Sequence, residues 1–483
     1  MFHDLTQPDT RLEECEEIYQ QAKAGFAVWR RLAFQERIGY LRTLRRMIVT
    51  NLDQLVGVIC GDTGKVPVEA VTADLLTVVD FLKYVEKSGE KALKPRRVPT
   101  PLLLFGKKSY VEYRPRGVVL VISPWNYPFQ LALIPMISAL FAGNAVILKP
   151  SEVTPKVGRA IAKLCHLSGF PPGVVQVALG DGRLGAELVQ QHPDYIFFTG
   201  SVRTGKLIQE EAAKRLIPTT LELGGKDPMI VCADANLKRA AKAAVWGGLT
   251  NSGQVCMAVE RIYVEQTVYE QFTDLVVREV GKLKQGQDQD SDLGAMTSRQ
   301  QVEIVRAQVE DALEQGAVLL AGKHPAEWDL SEGLFIPPMV LVNVTQKMRI
   351  MREETFGPVL PIIPCEDVEQ AVQLANDSNF GLNASVWSRD LGKARAVARE
   401  LVAGNTAIND VIVNVANPHL PFGGVKDSGL GRYHGAVGFQ TFCHQVSVIV
   451  DKGRRTKEIN WYPYQGKYRL FTRLIRLLYQ TKS

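Results

Sequence analysis

The stretch "FTGSVRTGK", residues 198–206, joins an apolar run to a segment with helical spacing. The same alternation of apolar runs and helical segments continues on both sides of it. Gly200, Gly205 and Lys206 have the spacing of a P-loop, but Leu207 replaces the Ser or Thr that would hold Mg²⁺. The run "YIFFTG" predicts a strand that ends at Gly200, and a helix is predicted to begin near Arg203. Backbone N–H groups at a helix N-terminus attract phosphate. The stretch therefore predicts either a phosphate-binding turn without a metal ligand or a plain strand–helix turn.

Apolar runs around this stretch alternate with helical segments. The predicted strands are "GVVLVIS", "AVILKP", "VVQVALG", "YIFFTG" and "PTTLEL". Strands that alternate with helices predict an α/β fold with a parallel, doubly wound sheet, which binds ligands at the carboxyl ends of its strands. A second β/α region, about 224–422, contains "GAVLLAG", "FIPPMVLVNV", "VLPIIPC", "NASVWSR" and "GNTAIND". Residues 10–95 are predicted to be helical, 97–116 to form a hairpin or an extended arm, and "TFCHQVSVIVDK" to form a strand.

Length and composition limit the classes of protein to consider. A chain of 483 residues predicts two or three domains. Its net charge is +6, but residues 452–483 contain nine Lys and Arg and one acid, so the remainder is about neutral and a nucleic-acid partner is not expected. The seven cysteines have no C-x-x-C spacing, which predicts reduced thiols in a cytoplasmic protein with no metal site.

Two segments could be mistaken for targeting or membrane signals. The N-terminus "MFHDLTQPDTRLEECEE" is polar and acidic, unlike a signal peptide. Residues 117–148 contain no charged side chain, but "SPWNYP" and "AGNA" interrupt them. We therefore predict two strands, a loop and a buried helix there rather than a membrane span.

Two polar motifs, "LELGGK" at 221–226 and "NSGQVC" at 251–256, stand out in the second half of the α/β pattern. Together with "PWNYP", "KPSE", "FTGS", "EETFGPV" and "PFGGVKDSG", in this order, they resemble the aldehyde dehydrogenase superfamily from about residue 10 to 450. The segment "PFGGVKDSGLGRYHGAVGFQTFCHQVS", 421–447, is most similar to the class 3-like subgroup that oxidises fatty and aromatic aldehydes, whose members are typically dimers. Val255 departs from the Thr or Cys that many relatives have before the nucleophile.

The resemblance implies an aldehyde dehydrogenase-like domain organisation. A Rossmann-type NAD(P)-binding domain would comprise residues 1–96 and 117–222, and an α/β catalytic domain residues 223–422. A small β oligomerisation arm would comprise 97–116 and 423–451, followed by a basic tail, 452–483.

The resemblance also assigns three catalytic residues. Cys256 would be the nucleophile, and the side-chain amide of Asn126, with the backbone N–H of Cys256, would stabilise the oxyanion. Glu222, 34 residues before Cys256, would activate water to hydrolyse the thioester. Each residue also has a plain structural alternative. Cys256 would then be a small buried thiol, Asn126 a loop amide that satisfies the backbone of a turn, and Glu222 a solvated acid.

The cofactor residues follow from their own motifs. Lys149 and Glu152 resemble the pair that holds the adenosine ribose, where a carboxylate favours NAD over NADP but leaves dual use open. Gly200 and Ser201 would contact the pyrophosphate, and Glu354 the nicotinamide ribose. Further members of the implied site are Trp125, Gly205, Leu223, Gly224 and Phe356. Lys226 is expected to be structural.

The C-terminal tail bears on the substrate. Three arginines, Arg469, Arg473 and Arg476, would lie on one face of a helix, opposite Leu470, Phe471, Leu474, Leu477 and Leu478. Such a helix predicts contact with an anionic membrane, or with the protein's own substrate-tunnel mouth or a partner subunit.

Each arrangement of the tail favours an apolar aldehyde: medium- or long-chain, aromatic or apocarotenoid-like. We therefore predict an NAD(P)-dependent homodimeric dehydrogenase that makes the carboxylic acid. The rivals are a small-semialdehyde dehydrogenase, a coenzyme A-acylating enzyme, against which Glu222 argues, and a catalytically idle binding protein on the same scaffold.

Overall fold

The structure is a computed structural model that describes Phe2 and residues 5–479. The chain divides into two compact units: unit 1 comprises Met1–Lys94 and Tyr113–His444, and unit 2 comprises Pro95–Glu112 and Gln445–Ser483. The last four residues of the predicted tail lie outside the described residues.

The first sheet of unit 1 has six strands and contains the opening stretch. Their spatial order is Gly429–Leu430, Thr219–Glu222, Tyr195–Thr199, Val118–Ile122, Ala145–Lys149 and Val175–Val177. All pairs are parallel except the first, which is antiparallel. Chain order reverses between Val118–Ile122 and Tyr195–Thr199, and ligands bind beyond the carboxyl ends of strands at such a switch point.

The second sheet of unit 1 has seven strands. Their spatial order is Val318–Ala321, Met339–Val342, Val359–Cys365, Val259–Glu265, Asp227–Val231, Asn383–Trp387 and Asn405–Ile408. Only Val318–Ala321 is antiparallel to its neighbour. The two central strands, Asp227–Val231 and Val259–Glu265, were not predicted. The first contains Pro228, which is unusual inside a strand, and the second contains Glu260 and Arg261, whose charges are not typical of a buried strand.

Helices cover both sheets and form the N-terminal region, as the spacing of apolar residues predicts. Those of eight or more residues in unit 1 are Cys15–Trp29, Phe34–Thr50, Leu52–Thr63, Leu76–Tyr84, Gln130–Phe141, Pro155–Leu167, Gly182–Gln190, Val202–Ala213, Leu237–Leu249, Tyr269–Val280, Arg299–Glu314, Val368–Asn376 and Leu391–Glu400. Shorter helical pieces are Pro67–Glu69, Ala70–Leu75, Val85–Gly89, Glu90–Leu93, Arg349–Arg352 and Gly435–Gln440.

Every residue of Gln130–Phe141 is buried, so the uncharged run forms a core helix. In the part of the chain that the structure describes, no helix combines the length and apolarity that crossing a membrane requires.

A three-stranded sheet comprises Arg96–Val98, Lys108–Pro115 and Cys443–Val450. The first two strands are antiparallel, which confirms the predicted hairpin. A helix, Lys467–Tyr479, lies in unit 2 and contains the predicted amphipathic segment.

The predicted start of the oligomerisation arm at 423 differs from the structure, in which this part of unit 2 begins at Gln445. Residues 423–444 belong to unit 1 for a physical reason. Gly429–Leu430 pair with Leu221–Glu222 of the first sheet, and the ring of Phe439 packs on Phe81, Tyr84 and Phe141.

Candidate active site

The switch point of the six-stranded sheet gathers the predicted residues from three strand ends. Trp125 and Asn126 follow Val118–Ile122, and Gly200 and Ser201 follow Tyr195–Thr199. Glu222 is the last residue of the neighbouring strand, and its carbonyl accepts the N–H of Gly200 at 3.0 Å. Parallel strands end at one edge, so these residues line one crevice.

Cys256 lies at the end of a loop with an unusual backbone. Asn251, Ser252 and Gly253 are consecutive residues with φ of 52°, 55° and 74°. A Cβ at Gly253 would overlap the carbonyl of Gly357, so only glycine fits there. Left-handed backbone at two non-glycine residues is strained and persists only where surrounding contacts hold it.

Hydrogen bonds from Asn126 and its neighbours tie this loop to the end of the first sheet. The amide Nδ2 of Asn126 donates to the carbonyl of Gln254 at 3.0 Å, and Nδ2 of Asn251 donates to the carbonyl of Asn126 at 3.1 Å. Lys65 Nζ donates to that same Asn126 carbonyl at 2.9 Å and pairs with Asp74 at 2.7 Å. The structure thus places the Asn126 amide beside the backbone two residues before Cys256.

Glu69 is a further anchor of the loop that sequence reasoning did not identify. Its Oε1 accepts the backbone N–H of Asn251 at 2.7 Å and the Thr250 hydroxyl at 2.9 Å. Its Oε2 is buried without a hydrogen-bond partner among the described residues, and burial raises the pKa of the carboxyl. The only signal in the sequence is that Glu69 is an acid within the otherwise mainly apolar stretch "VPVEA", where a helix is expected to begin.

Glu222 has the environment of a general base. It is buried, and neither carboxylate oxygen has a hydrogen-bond partner in the described part of the chain. Burial raises the pKa of Glu222 well above its usual range, and the nearby Arg432 opposes this shift. A carboxylate without a partner can accept a proton from water or a thiol without first breaking another bond.

Burial also governs the Cys256 thiol. It raises the pKa of Cys256 above that of a free cysteine, and the negative charges of Glu354, Asp227 and Glu222 add to the shift. The protonated thiol is therefore the resting form of this chain alone, and attack on a carbonyl requires removal of its proton.

The residues predicted to hold the adenosine end and the pyrophosphate lie around the first sheet. Lys149 is buried and its Nζ pairs with Glu152 Oε2 at 2.9 Å, while Glu152 is half-exposed. Ser201 caps the Val202–Ala213 helix, its Oγ accepting the N–H of Thr204 at 3.3 Å. The buried Gly205 faces Leu223, and a Cβ there would overlap the Leu223 side chain. A buried cation, a half-exposed carboxylate and the N-terminus of the Val202–Ala213 helix suit a ribose and a pyrophosphate.

Glu354 lies against the "LELGGK" turn. Its Oε1 accepts the N–H of Gly225 at 3.0 Å, and a Cβ at Gly224 would overlap its carboxylate. Burial raises the pKa of Glu354 to about 8, with the charge of Glu260 adding to the shift. The ring of Phe356 meets the Trp125 indole edge-on, with centroids 5.4 Å apart.

Lys226, the last residue of the "LELGGK" turn, connects the turn to Glu260 and Thr355. Its buried Nζ donates to Glu260 at 2.7 Å and to Thr355 Oγ1 at 2.7 Å. Glu260 in turn accepts the backbone N–H groups of Thr355 and Phe356, each at 2.8 Å. The buried pair thus fixes the backbone that follows Glu354.

A cavity of about 810 Å³ opens on Cys256. Its wall is mainly apolar and includes Val68, Leu131, Trp246, Leu249, Val255, Met257, Leu293, Ile412, Val413 and Phe422. Its charged lining residues are the half-buried Glu69 and Glu279 and the exposed Asp292, Lys242 and Lys282, and Lys282 pairs with Glu279 at 2.6 Å. Within the described residues, no cluster of three or more His, Cys, Asp or Glu side chains could hold a metal ion.

A doubly wound sheet that brings an acid, an amide and a cysteine loop to its switch point is the arrangement of an α/β enzyme. The model of the aldehyde dehydrogenase family matches residues 5–448, and the chain belongs to that family. This confirms the predicted superfamily and its α/β fold.

Proteins similar to this chain differ in the substrates for which they are named. A 4,4'-diapolycopene aldehyde oxidase of Methylomonas sp is 47% identical over 96% of this chain and 87% of its own length. A putative succinate-semialdehyde dehydrogenase [NADP(+)] of Mycolicibacterium smegmatis is 36% identical over 92% and 86%. The solved Mycobacterium tuberculosis aldehyde dehydrogenase complexed with NAD+ has a TM-score of 0.87 and 31% identity over 93% of this chain and 92% of its own.

Proposed function

We propose that this enzyme oxidises apolar aldehydes, of fatty, aromatic or apocarotenoid type, to carboxylic acids with NAD or NADP. The observation that carries the proposal is the cavity of about 810 Å³ that opens on Cys256 with a mainly apolar wall. Burying an apolar chain there is favourable by about 25 cal/mol for each Å² removed from water. The diapolycopene aldehyde oxidase, which shares 47% identity, supports a long apolar substrate.

In the proposed first step, Cys256 Sγ attacks the aldehyde carbon to form a thiohemiacetal. The ionised Glu222 carboxylate accepts the thiol proton, which its lack of a hydrogen-bond partner within the described residues permits. The Asn126 amide and the Cys256 backbone N–H stabilise the oxyanion. One such donor lowers the activation barrier by about 3–4 kcal/mol in other acyl-transfer sites.

In the proposed second stage, a thioester on Cys256 is hydrolysed. After it has passed the thiol proton to solvent, Glu222 takes a proton from water as the water oxygen attacks the thioester carbon. The C–S bond then breaks, the acid leaves, and the proton on Glu222 returns to the Cys256 sulfur. Because burial raises the pKa of Glu222, the proton it removes is held more tightly than by an ordinary carboxylate.

The chain's own residues fit the dinucleotide. Lys149 and Glu152 would hold the adenosine ribose, Gly200 and Ser201 the pyrophosphate, and Glu354 the nicotinamide ribose. Trp125, Gly205, Leu223, Gly224 and Phe356 would pack around it. When bound, the nicotinamide supplies the hydride acceptor that turns the thiohemiacetal into the thioester.

The test is formation of reduced cofactor over a panel of aldehydes, from short polar to long apolar and polyene, with NAD and NADP in parallel. Cys256→Ala is the blank, and Cys165→Ala, a buried cysteine in the Pro155–Leu167 helix, is the matched control. We expect kcat/KM to rise with chain length and to vanish only in Cys256→Ala. A preference for short polar aldehydes would contradict the substrate, and activity in Cys256→Ala would contradict the mechanism.

A small semialdehyde is the second candidate, supported by the relative named as a succinate-semialdehyde dehydrogenase and by Lys242 at the cavity wall. Lys242 is exposed, so its attraction for a substrate carboxylate is screened. Lys242→Gln would raise KM for succinate semialdehyde and leave KM for decanal unchanged if this candidate were correct.

We also propose a homodimer in the cytoplasm with peripheral membrane contact through the tail. The strand Cys443–Val450 is at an edge of its sheet, where a second copy could add its own strand. The tail helix combines arginines with exposed leucines, which suits an anionic membrane surface. Light scattering of the purified enzyme tests the dimer, and sedimentation with vesicles tests the tail.

A further inference from the structure

The two units differ in the sign of their charge. Unit 2 contains 13 Lys and Arg and three Asp and Glu, whereas unit 1 contains 44 and 48. Two of the three acids, Asp451 and Glu458, both pair with Lys107, at 2.8 and 2.9 Å. The excess positive charge of the protein therefore resides in the smaller unit, which would attract an anionic surface.

The helix Lys467–Tyr479 of unit 2 presents apolar side chains to solvent. Leu477 is 79% exposed, and Leu470, Ile475 and Leu478 are also exposed. Tyrosine and tryptophan side chains, which favour membrane–water interfaces, are exposed along and before it: Trp461, Tyr462, Tyr464, Tyr468 and Tyr479.

A second apolar element of unit 2 lies at the tip of its hairpin. In this tip loop, Leu102–Phe105, Leu102 is 66% exposed, Leu103 is exposed, and Phe105 is 72% exposed. The hairpin strands that lead into and out of the loop contribute three exposed cations, Arg96, Arg97 and Lys108. Apolar side chains at a tip with cations around its base match the profile of an anionic bilayer, in which headgroups lie above acyl chains.

Lys107 connects the tip loop to the segment before the helix Lys467–Tyr479. It lies two residues after the loop, and its two ion pairs reach Asp451 and Glu458, on either side of the basic stretch 452–457. The tip loop and this basic stretch are therefore held together within unit 2.

We infer that unit 2 binds an anionic lipid bilayer through two elements, the tip loop Leu102–Phe105 and the basic amphipathic helix Lys467–Tyr479. The inference rests on the proposed membrane contact of the tail and extends it to a second insertion site and to a choice of lipid. Two weak elements on one unit bind together far more tightly than either alone, because the second binds from a high effective concentration.

The experiment is co-sedimentation of the full-length enzyme with phosphatidylcholine vesicles that contain or lack phosphatidylglycerol. The variants are Leu102→Ser with Phe105→Ser in the tip loop, Leu477→Ser with Leu478→Ser in the helix, and Arg473→Gln with Arg476→Gln. The matched control is Leu216→Ser, a leucine of unit 1 that is 90% exposed. Light scattering and the turnover of a water-soluble aldehyde are measured on each preparation.

We expect binding that requires phosphatidylglycerol and falls when either apolar pair is replaced. Each arginine removed should weaken binding about fivefold, and Leu216→Ser should leave it unchanged. If the wild type fails to sediment, or if the loop variant sediments like the wild type, the two-element surface is wrong.

Two other partners for these apolar elements, a second copy of the chain and the enzyme's own substrate tunnel, would give different results. Variants that bind vesicles normally but change the mass in light scattering would identify an interface between copies, and a change of chain-length preference without vesicles would identify a tunnel cover. Either result would overturn the inference. An enzyme that binds vesicles but oxidises no aldehyde would instead contradict the proposed function and leave the lipid surface standing.

Discussion

The carboxylate of Glu69 accepts the backbone N–H of Asn251 at 2.7 Å and so connects the Pro67–Glu69 helix to the loop that carries Cys256. Asn251 is one of three consecutive residues with left-handed backbone, and such strain persists only where neighbours compensate for it. The position of Cys256 therefore depends on an acid almost 190 residues before it in the sequence.

Replacing Glu69 separates its acceptor role from its charge. Glu69→Gln keeps an oxygen for Asn251 and Thr250, so we expect kcat within a few-fold of the wild type. Glu69→Ala removes both bonds, and a bond to a charged group contributes about 1.5–3 kcal/mol; a loss of one bond's contribution from the positioning of Cys256 lowers kcat about tenfold to a hundredfold. The rate of Cys256 alkylation by iodoacetamide should fall with it.

The control for Glu69 is thermal unfolding, which separates loss of loop order from loss of fold. Thr250→Val removes only one of the two bonds and should give an intermediate alkylation rate. Glu69→Ala with a normal alkylation rate and normal kcat would show that the loop does not need this anchor.

Glu222→Gln should stop turnover before acylation. The carboxamide cannot accept the thiol proton, so we expect no burst of reduced cofactor, whereas a burst equal to the enzyme concentration would show that Glu222 acts only on water. In the wild type, kcat should rise with pH as Glu222 ionises, because burial raises its pKa well above 4.5. Arg432→Met removes the cation that lowers this pKa, and the rising limb should move to higher pH.

Gln440→Ala is the control for Arg432→Met, because it removes one polar side chain of the adjacent segment without changing the charge near Glu222. A pH–rate profile identical in wild type and Glu222→Gln would exclude Glu222 as the base.

The sequence predicted the sheets well where strands were uniformly apolar, as in "YIFFTG", and poorly where they carried buried charge. Glu260 and Arg261 lie in a central strand because Glu260 pairs with Lys226 and Arg261 donates to backbone carbonyls, partners that no local pattern reveals. The motifs located Cys256, Glu222 and their neighbours, whose roles stay predictions. Glu69 and Lys65 escaped notice because their partners come from distant parts of the chain.

His434 should make the fold sensitive to acid. It is buried against Tyr433, with centroids 4.3 Å apart, and neither ring nitrogen has a partner among the described residues. Burial lowers its pKa to about 3, whereas an unfolded histidine titrates near 6.5. Below about pH 6.5 the unfolded state therefore binds a proton that the folded state does not, and the free energy of unfolding should fall as pH decreases, by up to about 1.4 kcal/mol per unit.

His434→Phe removes that titration, so its stability should depend less on pH than that of the wild type between pH 6.5, where the unfolded ring titrates, and pH 3, where the folded ring does. The measurement is urea unfolding across this range, and the difference in slope is the result, whatever the stability at neutral pH. His444→Phe, an exposed histidine, is the control and should keep the wild-type slope. Equal slopes for wild type and His434→Phe would show that the buried ring is protonated in the folded state.

Glu152→Gln should shift cofactor preference toward NADP. Glu152 pairs with the buried Lys149 at 2.9 Å, and a carboxylate beside the ribose repels a 2′-phosphate. Removing it frees Lys149 to attract that phosphate, so kcat/KM for NADP should rise about tenfold relative to NAD, a change of about 1.4 kcal/mol. Because the carboxylate is half-exposed, added salt should reduce the wild-type discrimination. Glu332→Gln, an exposed acid on a loop before the Met339–Val342 strand, should change neither ratio. An unchanged ratio in Glu152→Gln would place the ribose elsewhere and leave the Lys149–Glu152 pair with a purely structural role.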